Sequence, residues 1–303
     1  MIKVSVILPI YNVASYLDET FQSLIYQTLK EIEIIAVNDG STDSSEEIIN
    51  KYKNKDSRII SFRQTNCGQS VARNIALQHA SGKYIYMMDS DDVLSNPKAL
   101  ECFYKYAEKH NADFILFDGD IFYEQGANAI SWNYKRTFLF EEGKKYDGEA
   151  LLNQMLDNNK YNCVVWLLMI NRNYLNRIGL RFYPGLIHED ELFTTLLTLK
   201  SKNIYCLQQS LVKHRIRNTS TMGRGYSKKN IQCYLTVIDE LFKYQDSTAI
   251  RKYATYTLSK VFYTGHLISF CDKPKIFWRA IKSGYAKYIG TKSMVVFWFK
   301  RHH

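Results

Sequence analysis

Over roughly the first 120 residues, short apolar runs alternate with segments whose apolar positions recur every three or four residues, the pattern of a βα-repeating sheet. Val4–Ile10 has the composition of a strand, and Ala14–Gln27 places Leu17, Phe21, Leu24 and Ile25 on one helical face. Strands follow at Ile32–Val37, Arg58–Phe62, Lys83–Met88 and Asp113–Phe117, with helices at Ser70–His79 and Pro97–His110. Such nearly unbroken apolar runs belong to strands covered on both faces, so a doubly wound, mostly parallel sheet is expected.

From residue 120 to 215 the pattern loosens, with loops at Gly126, Gly143 and Gly148, a helix over Gly148–Leu156 and a strand over Cys163–Ile170. After His188-Glu189-Asp190, Leu192, Leu196 and Leu199 keep helical spacing. Beyond Gly225 the chain is helical and basic, and Trp278, Ile281, Tyr285 and Tyr288 fall on one face. The division expected is 1–225 and 226–303.

Composition adds one asymmetry: residues 200–303 hold 20 Lys and Arg against 4 Asp and Glu, whereas residues 1–199 hold 20 against 26. A basic, aromatic segment seeks a polyanion, and without any helix-turn-helix, zinc-finger or RNA-binding signature, nucleic acid is set aside for an anionic membrane surface. A helical homodimer or domain interface is the alternative use of the same residues. The six cysteines form no C-x-x-C pair, which argues against a zinc knuckle or disulfide framework and for a reducing cytoplasm. The N-terminus has no secretory signal pattern, and no apolar stretch approaches the ~20 residues of a spanning helix.

Candidate chemistry lies at strand ends. Asp89-Ser90-Asp91-Asp92 follows a buried strand and offers two oxygen ligands on one side of the chain, suited to a hard divalent ion; a helix cap from Asp92 or Ser95 is the alternative. Pro9-Ile10-Tyr11-Asn12 offers backbone groups and an aromatic face. Asp39, before Gly40, is placed to accept a base N–H or to close an Asx turn, while Asp43 suits a helix cap. In Asn66-Cys67-Gly68 the glycine permits a sharp turn, and Arg73 one helical turn later can face a nucleotide or pair with Asp89 to hold the loop.

These four stretches in order, with His188-Glu189-Asp190 and His214-Arg215-Ile216-Arg217-Asn218-Thr219-Ser220 behind them, resemble the inverting family 2 glycosyltransferases of the GT-A fold over residues 1–225. The resemblance implies a Rossmann-like, mixed, mostly parallel sheet flanked by helices, with the basic helical region as an extension. It implies a UDP-sugar donor contacted by Pro9, Tyr11, Asp39, Asn66, Arg73, Asp89, Ser90, Arg217 and Ser220. It implies Mn²⁺ or Mg²⁺ on Asp91 and Asp89, with His214 an additional metal or phosphate contact, and Asp190 as general base beside Glu189. Trp166 and His188 are candidates for the acceptor side, although a packing role suits each. Leu168 departs from the Trp-x-Lys pattern of many relatives, which weakens inference about the acceptor. A glycan or glycolipid acceptor of lipooligosaccharide or capsule synthesis is expected. A nucleotidyltransferase would have no use for Asp190, and an idle carbohydrate-binding subunit no reason to keep Asp91, Asp190 and Arg217 together.

Overall fold

A computed structural model describes residues 1–217 and 226–300. Its strands are β1 (Val4–Ile10), β2 (Ile32–Asp39), β3 (Ile59–Gln64), β4 (Tyr84–Met87), β5 (Val93–Leu94), β6 (Phe114–Tyr123), β7 (Leu168–Asn171) and β8 (Ile204–Ile216). Its helices are α1 (Ala14–Ile25), α2 (Ser45–Lys55), α3 (Gln69–His79), α4 (Ala99–His110), α5 (Gly148–Asp157), α6 (Arg172–Arg177), α7 (Glu189–Lys200), α8 (Lys228–Tyr244), α9 (Thr248–Thr264), α10 (Lys273–Lys282) and α11 (Thr291–Phe299).

The strands form one sheet in the order β3-β2-β1-β4-β7-β6-β8-β5. The first four run parallel, β7 enters antiparallel between β4 and β6, and β8 runs parallel to β6. Every residue of β1 and β2 is buried, because both faces are covered. On one face, Leu17, Phe21 and Leu24 of α1 join Leu100 and Phe103 of α4; on the other, Ala72 and Ala76 of α3 join Leu151, Phe193 and Leu197. Phe103 stacks on Phe117 of β6 at 3.8 Å and 9°, fixing α4 against the far half of the sheet.

Strand β6 extends past its expected end at Phe117. A register shift at Asp118 lets it continue beside β8, whose Gln208-Gln209-Ser210 stretch breaks the apolar alternation of an otherwise long strand. The strand expected over Cys163–Ile170 is confined to β7, with a 3₁₀ turn over Val165–Leu167 before it.

Helices α8 to α11 share a core with the rest: Leu152 and Leu156 of α5 and Leu192 and Leu199 of α7 pack with Leu235, Ile238, Tyr253 and Phe262. The single aromatic face expected over residues 278–288 is not observed. Helix α10 ends at Lys282 and Gly284 turns the chain at φ +73°, so Tyr285 points inward to bond Asp239 while Trp278 remains 67% exposed. Among the described residues no helix is long and apolar enough to cross a membrane.

Candidate active site

The loops after β1, β2 and β3 brace one another. Asn12, at φ +50°, accepts from the Thr42 amide at 2.8 Å, and Asp43 accepts from Ala14 and Ser45 amides at 2.9 and 3.0 Å, so one carboxylate caps the start of α1 and of its own helix. Asp39 is buried. Its oxygens accept the Cys67 and Gly68 amides at 2.8 and 2.9 Å and the Gln64 side chain as well. Gly40, at φ +72°, lets the chain pass so close that a Cβ there would lie 2.7 Å from the Asn66 amide nitrogen. Three donors leave the Asp39 carboxylate one accepting site of about four. Tyr11 and Asn66 are exposed beside it, and Pro9 is buried within β1.

Arg73 on α3 is buried and bridges two elements, bonding Asp89 at 2.9 Å and Glu189 at 2.5 Å, with its guanidinium 5.1 Å from the Phe182 ring. Burial disfavours its charge, but Glu189, Asp89 and Asp190 outweigh that and raise its pKa. Arg73 therefore ties the end of β4 to the first turn of α7. The pairing alternative is what the fold uses.

The Asp89–Asp92 stretch divides its duties. Ser90 is buried, and its carbonyl accepts from Thr20 at 3.0 Å. Asp91 accepts from Arg217 at 2.7 Å. Asp92, expected at most to cap a helix, is fully buried: His214 Nδ1 lies 2.9 Å from both its oxygens and the Arg215 amide donates at 3.0 Å. Helix α4 takes its amide acceptors elsewhere, Gln27 receiving Leu100 and Asn96 receiving Lys98. Burial works against a cation at His214, yet the Asp92 carboxylate outweighs it and holds the imidazole up to about 9.

One oxygen each of Asp89 and Asp92 and a nitrogen of His214 lie within 4.8 Å of one another. Two carboxylates and an imidazole that gives up its proton are a donor set for Mn²⁺, and the carboxylates suit Mg²⁺ as well. Asp92 is expected only as a helix cap and Arg215 in no role; the signal for Asp92 is its place among three acids in four residues, which cannot be divided without knowing that β5 pairs with β8 at Val93 and Lys213.

Trp166, for which the sequence leaves both an acceptor-stacking and a core role open, is buried: it stacks under His214 at 5.0 Å and 14° and meets Tyr134 edge-on. Gly119, in the irregular part of β6, makes that possible, since a Cβ there would lie 2.6 Å from the indole. His188, the other acceptor candidate, adopts φ +64° ahead of α7 and stacks on Tyr234 of α8. Ser220 lies outside the described residues.

Helix α7 opens with three acids in succession, and each has a different fate. Glu189 bonds Arg73, Glu191 accepts from the Tyr253 hydroxyl at 2.7 Å, and Asp190 receives no hydrogen bond among the described residues. Burial and then the flanking Glu189 and Glu191 charges push its carboxyl well above the usual carboxylate range. Arg73 and Asp89 also act on it electrostatically, Arg73 lowering and Asp89 raising its pKa.

Residues 5–179 match the family described as Glycosyl transferase family 2. The chain belongs to that family and is a glycosyltransferase, and its mixed sheet with flanking helices is the GT-A fold. It is similar to glycosyltransferase GlyA of Streptococcus pneumoniae serotype 4, 31% identical over 241 residues that make up 78% of this chain but only 34% of that protein. Among solved structures, residues 1–349 of Staphylococcus aureus TarS with UDP-GlcNAc superpose with a TM-score of 0.73 at 21% identity, over 97% of this chain and 84% of that one. The mannosyltransferase PcManGT of Pyrobaculum calidifontis with GDP-Man and Mn²⁺ gives 0.63 at 14% identity, over 94% and 75%.

Proposed function

We propose that the chain is a metal-dependent inverting glycosyltransferase that moves a hexose or N-acetylhexosamine from a UDP-sugar to a hydroxyl of a glycan or glycolipid. The acceptor would belong to lipooligosaccharide or capsule synthesis at the inner face of the cytoplasmic membrane. The observation that carries the reading is the division of labour at the start of α7, where two carboxylates are engaged by Arg73 and Tyr253 and Asp190 is left with none of its lone pairs taken by a described residue.

Inversion needs one carboxylate opposite the leaving group to take the acceptor's proton as its oxygen attacks C1. A carboxyl pushed above its ordinary range is a stronger base than a free aspartate, and Asp190 has that property through burial and like charge. Glu189, held by Arg73, fixes the first turn of the helix that carries it and so acts by positioning. Asp39 has one accepting site left for uracil N3–H, in a loop flanked by Tyr11, Asn66 and the buried end of β1 at Pro9. Ser90 holds the turn through its carbonyl.

Asp89, Asp92 and His214 would hold the cation, with Asp91 next to it. When bound, a divalent cation neutralises charge growing on the diphosphate leaving group. Arg217, now on Asp91, is the donor placed to exchange that carboxylate for a phosphate oxygen, with Ser220 beyond it in sequence.

The TarS complex with UDP-GlcNAc supports uridine as the nucleotide and the Mn²⁺ complex of the mannosyltransferase supports manganese, each as a property of that protein. A panel of UDP-sugars with Mn²⁺ and Mg²⁺, scored for donor hydrolysis and for transfer to glycan acceptors, tests the reading. Release of UDP that depends on metal and on one sugar is the expected result. Uridine diphosphate failing to bind with manganese present would overturn it.

A further inference from the structure

Lys273, the first residue of α10, is 3% exposed, and no described residue accepts a hydrogen bond from its ammonium. Its ammonium lies over two aromatic rings, with Nζ 5.8 Å from the Phe270 ring centre and 5.5 Å from that of Phe297. Burial alone depresses its pKa, for no carboxylate pairs with it. The neighbouring acid, Asp272, is engaged by Lys228 at 3.1 Å.

This lysine lines a groove of about 820 Å³ that also takes in Ser269, Trp298, Phe299 and Lys300, and among the described residues no carboxylate lines it. Phe299 and Phe270 on its rim are 79% and 66% exposed, and Trp278 and Val295 on the same pair of helices are 67% and 52% exposed. A buried ammonium without an acceptor, a second lysine at the mouth and exposed aromatic rings around it make a site for an anion that arrives attached to something apolar.

We infer that this groove seats the phosphate of an anionic phospholipid headgroup on Lys273 and Lys300, with Phe270 and Phe299 against the acyl region, and thereby fixes the enzyme on its membrane. The charge pattern commits the occupant. Residues 200–303 carry 20 Lys and Arg against 4 Asp and Glu, which an anionic leaflet complements and a soluble acidic protein segment without an apolar tail does not use fully. The assignment rests on the surface-bound reading above and makes it specific to one pocket.

The experiment is flotation of the full chain with phosphatidylcholine vesicles and with vesicles containing phosphatidylglycerol, for the wild type, Lys273→Gln and the double variant Phe299→Ser with Lys300→Ser. The last two residues are exposed, so that variant keeps the fold even where Lys273→Gln does not. The wild type is expected to float with the anionic vesicles only, and each variant to lose about tenfold in bound fraction. Hydrolysis of the donor sugar in vesicle-free solution is expected to stay unchanged in the double variant, which separates failure of this site from failure of the transferase reading. Equal flotation of wild type and double variant overturns the inference, as does flotation without regard to headgroup charge. Inorganic phosphate protecting the wild type but not Lys273→Gln in thermal melts, with no vesicle binding, would assign the pocket to free phosphate and overturn the lipid.

Discussion

The guanidinium of Arg73 bonds Glu189 across 116 positions of sequence while its other nitrogen holds Asp89, so a single buried side chain sets the distance between the acidic strand end and the helix that bears Asp190. Removing one partner from a buried ion pair leaves uncompensated charge, at a cost of about 3–5 kcal/mol. Arg73→Met is therefore expected to lower stability in urea unfolding by that order and to abolish transfer. Arg73→Met with Glu189→Gln should recover part of the stability, because the orphaned charge is gone, without recovering activity.

Asp190→Asn is expected to lower transfer by about 10²–10⁴-fold, the usual contribution of a general base, while UDP affinity measured by calorimetry stays within about twofold. Wild-type transfer at the same rate by the variant would remove Asp190 from the reaction.

The same group links activity and stability to pH. Because the folded-state pKa of Asp190 lies above its unfolded value, the folded protein binds more protons than the unfolded chain between the two values, and stability contributed by this group falls as pH rises through that window. Above the unfolded pKa the raised folded value is a stability burden that Asp190→Asn removes, so the variant should melt progressively higher than wild type as pH rises through that window and lose the advantage below it. In the wild type, kcat/KM should fall on the acid side at a pH above the ordinary carboxylate range.

His214→Ala removes one of three clustered donors and the ring that covers Trp166. Metal affinity is expected to drop by about 10–100-fold, read as the Mn²⁺ concentration giving half-maximal donor hydrolysis. Trp166→Leu, which leaves the donors in place, should shift that concentration less and show its effect mainly as lost stability of about 3 kcal/mol. Equal shifts in metal requirement would mean that the ring stack, and not the imidazole nitrogen, governs the site.

Asp39→Asn exchanges an acceptor of two backbone amides for a group that must turn one donor toward them. UDP affinity is expected to fall by about 1–3 kcal/mol through the disordered turn and the lost uracil contact. The metal requirement for hydrolysis of any donor still bound should not change.

The near half of the sheet was legible because its strands are covered on both sides and carry nearly continuous apolar runs; β1, β2 and β4 lie where Val4, Ile32 and Tyr84 announce them. In the far half the start of β6 and part of β7 were legible too, but β5 and β8 were not. β8 breaks its pattern with two glutamines and a serine, and β5 is two residues long, so neither carries a periodic signal, although together they bring His214 to Asp92. Residue types at the site were legible, but the assignment of partners was not: Asp89 and Asp91 are expected on the cation and Asp92 at a helix cap, whereas the packing of β8 sends Asp91 to Arg217 and Asp92 to His214. Trp166 and His188 have the chemistry of sugar contacts, and the packing role that also suits each is the one their ring stacks on His214 and Tyr234 display.

Tyr253 of α9 holds Glu191, Tyr234 of α8 lies flat on His188, and Leu192 and Leu199 sit in the core those helices share. The hydrophobic core thus runs across the division expected at residue 225. A shortened chain ending there would strip one whole side from α7, removing the scaffolding of Asp190 together with the groove at Lys273.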